Sequence, residues 1–151
     1  MGAEARLAEL GITVPDVVPP VAAYQPTARS GNLVFTAGQL PARDGEMIAV
    51  GKLGGEVDEE QGYACARQCA LNALVAIKAE IGSLDDVKRV VKVVVFVASR
   101  PDFTGQPQVA NGASELLGEV FGDAGKHARS AVGVSVLPLD VPVEVEIVVE
   151  V

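Results

Sequence analysis

Val90 to Ser99 read VVKVVVFVAS, a run whose apolar side chains fall on both sides of an extended chain. Successive side chains of a strand point to opposite faces. Val91, Val93, Val95 and Val97 therefore share one face and Val90, Val94 and Phe96 the other, where Lys92 is the one interruption. A strand apolar on both faces must be covered on both, as in layered α/β architectures.

The flanking segments show where cover comes from. Upstream, Asp58 is an N-cap candidate with Glu59 and Glu60 in the first turn, and Ala66, Ala70, Leu74, Ile77 and Ile81 recur at helical spacing up to Gly82. Downstream, a second helix is predicted from about Gln106 to Phe121, with Val109, Ala113, Leu116, Leu117 and Val120 on its inner face and Gly122 at its end. Two strands follow, Arg129 to Val136 and Val141 to Val151; in the last, Val143, Val145, Ile147 and Val149 alternate with Glu144, Glu146, Val148 and Glu150. Near the start, NLVFTAGQ (Asn32 to Gln39) lies between Gly31 and Pro41 and precedes a Gly-rich excursion through Gly45, Gly51 and Gly55, which suits a β-meander opening.

The order is strands, helix, strand, helix, strands, which predicts an α+β fold with a sheet of about six strands and two helices on one face. Two helices leave the other face bare, and the chain has no third long helix. The pattern therefore predicts a homo-oligomer whose sheets pack through their helix-free faces. Lys92 is then expected at a rim or beside an acidic residue, because an unpaired buried ammonium costs several kcal/mol.

At 151 residues and 49% hydrophobic, the chain suits one compact domain. We divide it into an N-terminal arm, residues 1–20, and a domain over 21–151; the arm opens with a short helix at Glu4 to Leu10, and a Pro-rich piece runs from Pro15 to Pro26. Lys+Arg number 12 against 20 Asp+Glu, a net charge of −8, and Arg29, Arg43, Arg67, Lys88 and Arg129 are scattered, so nucleic acid is an unfavoured partner. The opening MGAEARLAELGITVPDVVPP has no basic region before an apolar run, and no stretch reaches the ~18 apolar residues of a membrane span. The expected location is cytoplasmic, with no membrane partner. Cys65 and Cys69, four apart on the first long helix, read as small packing residues. A structural zinc site needs about four ligands, and the one histidine, His127, is far away in sequence, so no metal is predicted.

The chain contains no Walker loop, no G-x-G-x-x-G opening a helix, no HExxH and no GxSxG. With His127 as the single histidine there is no credible triad, and it reads as a loop residue without catalytic duty. Two candidates remain. Arg129, in HARSAVGVSVLP (127–138), opens a strand of small residues and is suited to clamp a carboxylate through its fixed paired donors; the alternative is a surface salt bridge. Glu144, in DVPVEVEIVVEV (140–151), is the second; the alternative is one of three acidic residues on the exposed side of an edge strand.

RSAVGVSVLPLDVPVEVEI (129–147) resembles the C-terminal signature of the RidA (reactive intermediate deaminase A) family, and AYQPTARSGNLVFTAGQLP (23–41) is similar to its N-terminal signature. ARQCALNAL (66–74) and VVKVVVFVAS (90–99) fit between them, so the resemblance runs from about Tyr24 to Val149, with an opening arm like that of a longer variant branch. The resemblance implies a chorismate-mutase-like fold, a homotrimer with three clefts between subunits, and cofactor-free hydrolysis of reactive 2-enamine or 2-imino acids to 2-keto acids and ammonia. Carried over by position, Arg129 pairs with the substrate carboxylate, the Gly38 N–H adds a hydrogen bond, and Glu144 orients or deprotonates the attacking water. Tyr24 comes from the neighbouring chain, the backbone around Ala131 faces the ligand, and Asn111 or Ser114 meets the family's Asn. Ala37 replaces a common Ser, Gly133 a larger polar residue, and TGQPQVANG (104–112) is lengthened. Two other functions are weighed beside the deaminase: a trimer that binds a 2-keto acid without turnover, and the ribonuclease or translation-inhibitor role among the family's names. A −8 chain without a basic stripe or aromatic platforms is poorly built for RNA.

Overall fold

The computed structural model describes residues 2–16 and 23–151. In chain order the elements are α1 (Ala3–Glu9), β1 (Thr27–Ser30), β2 (Leu33–Thr36), β3 (Ala42–Arg43), β4 (Glu46–Met47), α2 (Glu59–Ile81), β5 (Arg89–Ala98), α3 (Gln106–Phe121), β6 (Ala128–Val134) and β7 (Val143–Glu150). The main sheet runs β1-β2-β7-β5-β6, parallel between β5 and β6 and antiparallel elsewhere. It has five strands rather than about six. The Gly-rich excursion instead makes a separate ribbon, β3–β4, turned by Asp44 (φ 53°) and Gly45 (φ 82°), two positive φ values in succession as a tight hairpin requires. The strand at Thr27–Ser30 was hidden by its polar composition, TARS, and pairs with β2 across Gly31-Asn32.

The face assignment in β5 also needs correction. Val90 pairs with Val149 but Lys92 with Val148, so Val91 is an extra residue, a β-bulge. Beyond a bulge the alternation changes phase. Val90 consequently joins Val93, Val95 and Val97 beneath the helices, all fully buried, while Val91 is only half-buried.

α2 and α3 cover that face. α2 starts in a capping box, with the Asp58 side chain accepting from Gln61 N at 2.8 Å and the Gln61 side chain accepting from Asp58 N at 3.0 Å. Its buried stripe is small (Ala66, Cys69, Ala70, Ala73), which lets α3 come close. At Gly112 of α3 a Cβ would lie 2.0 Å from the Tyr63 carbonyl oxygen of α2, so no side chain fits there. Cys65 and Cys69 are free, buried packing residues, and burial pushes the Cys65 thiol up to about 11.

The short N-terminal helix expected at Glu4 to Leu10 is α1, Ala3–Glu9. α1 buries Ala3 and Leu7 in the common core, and Glu4 Oε1 accepts from Leu84 N at 3.1 Å while lying 3.7 Å from Lys78 Nζ. The Pro-rich piece lies partly outside the described residues. No helix among the described residues is long and apolar enough to cross a membrane.

No helix among the described residues covers the opposite face of the sheet. Phe35 and Val132 are 41% and 44% exposed there, and Val94, Phe96 and Val148 are half-buried. Lys92 lies half-buried on the same face, in register with Val148, and forms no ion pair among the described residues.

Candidate ligand site

Arg129, Ala131 and Gly133 pair with Val93, Val95 and Val97, so all three lie on the helix-bearing face of β6. β6 is an edge strand, and its outer side has no strand partner among the described residues. α3 passes over this edge. Arg129 Nη1 donates to Asn111 Oδ1 at 2.9 Å and to Ser114 Oγ at 3.2 Å. Asn111 and Ser114 are three apart and therefore on one helix face.

Neither Nε nor Nη2 of Arg129 has a partner among the described residues, and no carboxylate is in ion-pair reach. Among the described residues Arg129 thus forms no salt bridge. In a protein of net charge −8, a half-buried arginine is held by two neutral acceptors on one nitrogen. Its other two nitrogens form the side-on fork that matches a carboxylate.

Glu144 sits elsewhere. It pairs with Phe96, on the helix-free face of β7, and β7 is an interior strand between β2 and β5, not an edge. Two strand spacings and three residues along the strand separate its Cα from that of Arg129 by about 14 Å, with the sheet between the two side chains. A single imino acid cannot touch both in one chain.

The backbone brings Gly38 to Glu144. Thr36 ends β2 with its Oγ1 accepting from Ile147 N at 3.0 Å, and pairing with β7 resumes only at Gln39, which exchanges two bonds with Val145. Ala37 and Gly38 bulge out between these points. A Cβ on Gly38 would meet the Glu144 carboxylate at 2.7 Å. The Gly38 N–H has no partner among the described residues. Burial first, and then the neighbouring Glu146, raise the Glu144 carboxyl above the ordinary range.

Two expectations follow. Gly38→Ala should displace the Glu144 carboxylate while leaving the fold intact, because the clash falls on the mobile end of a side chain; a shifted Glu144 carboxyl carbon-13 resonance with an unchanged urea midpoint is the expected pair of results. Glu146→Gln removes one of the two causes that raise Glu144, so an activity that needs ionised Glu144 should keep its rate to lower pH. The acid limb should move only part of the way to the ordinary carboxylate value, since burial persists.

Tyr24 is 69% exposed, and Ala131 is half-buried between Arg129 and Gly133. The structure thus brings together Arg129 with Asn111 and Ser114, and Gly38 with Glu144, but not the two groups. At Gly133 a Cβ would lie 2.8 Å from Ser99 Oγ and 2.9 Å from Gln106 Nε2, both movable ends of side chains. These residues line a cleft of about 550 Å³ with Lys52 and Arg100. It does not include Arg129.

His127, read from the sequence as a loop residue, lies in the loop before β6. Its Nε2 is 2.9 Å from Ser114 Oγ and its Nδ1 is 2.6 Å from the Gly125 carbonyl. No spacing rule connects a helix residue to a loop residue thirteen positions on.

A five-stranded mixed sheet with its helices on one face, and an edge-strand arginine buttressed from α3, define an α+β protein of the chorismate-mutase-like class. The chain belongs to the YjgF family, the RidA family of the sequence resemblance: residues 4–151 match the family model described as "YjgF/chorismate_mutase-like, putative endoribonuclease". It is similar to protein TCP17 of Trypanosoma cruzi, 46% identical over 97% of this chain and 92% of that protein. The crystal structure of protein Atu1372 of Agrobacterium tumefaciens superposes with a TM-score of 0.91 at 43% identity, covering 99% of this chain and 92% of that one. More distant is a 2-iminobutanoate/2-iminopropanoate deaminase of Dermatophagoides farinae, 29% identical over 91% of this chain and 93% of that protein. Escherichia coli TdcF with bound serine aligns at TM-score 0.60 and 26% identity, over 91% of this chain and 93% of that one.

Proposed function

We propose that this chain hydrolyses small 2-imino acids to 2-keto acids and ammonia, in clefts between the subunits of a homotrimer. The observation that carries the reading is the Arg129 guanidinium, held on one nitrogen by Asn111 and Ser114 and without a carboxylate of its own. The deaminase name of the mite relative and the serine bound to TdcF support a ligand of amino-acid size.

Arg129 and Glu144 lie on opposite faces of one sheet, so a shared substrate requires Arg129 from one chain and Glu144 with Gly38 from a neighbour. A contact that brings the β6 edge of one chain, where Arg129 lies, against the helix-free face of its neighbour, with Phe35 and Val132 at 41% and 44% exposure, is the one that would unite them. In such a cleft Arg129 binds the α-carboxylate and the Gly38 N–H adds a hydrogen bond. Glu144 takes a proton from water as its oxygen adds to the imine carbon, the C=N π pair moves to nitrogen, and the nitrogen takes that proton back from the Glu144 carboxyl. Glu144 then takes the hydroxyl proton of the carbinolamine and passes it to the amine, so that the C–N bond breaks with its pair on nitrogen, ammonia leaves, and the oxygen pair closes the C=O of the keto acid. The imine carbon is already electrophilic, so anchoring, a placed water and proton transfer suffice. No cofactor enters this scheme.

The test combines mass and rate. Light scattering should give three times the 15.6 kDa chain mass, and 2-iminobutanoate released by a dehydratase should disappear faster than its spontaneous hydrolysis. A stable monomer at micromolar concentration would overturn the shared cleft. Binding of 2-ketobutyrate without hydrolysis would make the chain a keto acid binding module, a reading favoured by Ala37, which offers no hydroxyl beside Gly38. The ribonuclease function is the least supported, since the −8 charge opposes RNA.

A further inference from the structure

We propose that His127 and Ser114 are positioning residues for Arg129, acting in series through hydrogen bonds. This rests on the carboxylate-clamp reading for its kinetic consequences, although the geometry stands without it. The Gly125 carbonyl only accepts, so the ring nitrogen 2.6 Å away, Nδ1, carries the proton. In the neutral ring Nε2 is then an acceptor, and the Ser114 hydroxyl 2.9 Å away donates to it. With its proton directed to His127, Ser114 Oγ turns its lone pairs to Arg129 Nη1 at 3.2 Å.

A serine hydroxyl is otherwise a free rotor that donates or accepts. The imidazole removes that freedom. Asn111 Oδ1, at 2.9 Å, supplies the second acceptor on the same guanidinium nitrogen, so the plane of Arg129 is fixed before a ligand arrives. The ring is itself held by the backbone after α3: a Cβ on Gly125 would lie 2.3 Å from the Leu117 carbonyl oxygen, so the turn carrying the Gly125 acceptor is pinned against α3.

A Ser–His contact also resembles a nucleophile with its base. The arginine decides between the two roles. A nucleophilic oxygen must turn a lone pair to the reacting carbon, whereas Ser114 Oγ accepts from a cation. Its role is therefore electrostatic support.

Arginine pre-organised in this way loses less rotamer freedom when it binds a carboxylate. Releasing it should raise KM for the imino acid, and Kd for 2-ketobutyrate, about three- to tenfold. The chemical step does not involve it, so kcat should stay within about twofold. The experiment uses the full chain and three variants. His127→Leu and Ser114→Ala should show that split, while His127→Gln, whose amide oxygen can accept from Ser114, should restore most of the affinity. Nitrogen-15 spectra of the Arg129 side chain without ligand give the independent readout. Restricted guanidinium rotation is expected in the parent and in His127→Gln, and faster rotation in His127→Leu and Ser114→Ala. Unchanged rotation in both of those variants would overturn the proposal even if the parent proved inactive. A collapse of kcat in Ser114→Ala with KM unchanged would overturn it in favour of a nucleophile. A parent that neither binds 2-ketobutyrate nor hydrolyses imine would refute the deaminase reading alone, and the rotation data would still decide the positioning role.

Discussion

Arg129→Ala is expected to weaken 2-ketobutyrate binding and kcat/KM for 2-iminobutanoate by about 10²- to 10⁴-fold. Two hydrogen bonds to a charged group are each worth about 1.5–3 kcal/mol, and every 1.4 kcal/mol is tenfold. Arg129→Lys should recover only part of the loss, because an ammonium keeps the charge without the planar fork. The fold should tolerate both changes: Arg129 is half-buried at a sheet edge, and its partners Asn111 and Ser114 reach solvent. Glu144→Gln should give the complementary result, a fall in kcat of roughly 10² to 10⁴ with keto acid affinity little altered. Calorimetry and steady-state kinetics on variants of parental mass separate the two roles. Parental hydrolysis by Arg129→Ala would mean that the carboxylate is bound elsewhere.

Gly112→Ala is expected to be the most damaging single-methyl change in the molecule's helical layer. The added carbon would sit 2.0 Å from the Tyr63 carbonyl oxygen and 3.1 Å from Arg67 N, both backbone atoms that cannot rotate away. α2 and α3 would have to separate, opening the packing of Ala66, Ala70 and Ala113 and loosening the Arg67–Glu119 ion pair at 2.9 Å. Over-packing a close-packed core typically costs about 1–3 kcal/mol, and a clash on backbone belongs at or above the top of that range. A domain with ~5–15 kcal/mol of stability should then unfold at a much lower urea concentration. Since α3 also carries Asn111 and Ser114, binding should weaken along with stability. A parental urea midpoint would show that the helices can slide apart without loss.

Both long helices were legible because their signals are local. Asp58 with Glu59 and Glu60, the apolar spacing from Ala66 to Ile81, and Gly122 after Phe121 act within a few residues of one another, and α2 and α3 begin and end where those signals fall. The alternation of β7 was equally plain, with Val143, Val145, Ile147 and Val149 all buried. β1 was not legible, since TARS has no apolar alternation and is a strand only because β2 lies beside it. The bulge at Val91 escaped for a related reason: a run of valines carries no mark of where alternation slips, and only pairing with Val148 and Val149 selects the residue.

By itself the sequence determined the α+β class, the two long helices, and the residue types suited to a carboxylate and a base, because propensity, capping and periodicity are properties of neighbours along the chain. The tertiary structure decided the rest. Strand order made β7 interior and β6 an edge, register put Arg129 and Glu144 on opposite faces, and the turn after α3 delivered His127 to Ser114. Those are relations between segments distant in sequence, set by which surfaces pack together, and no local pattern encodes them.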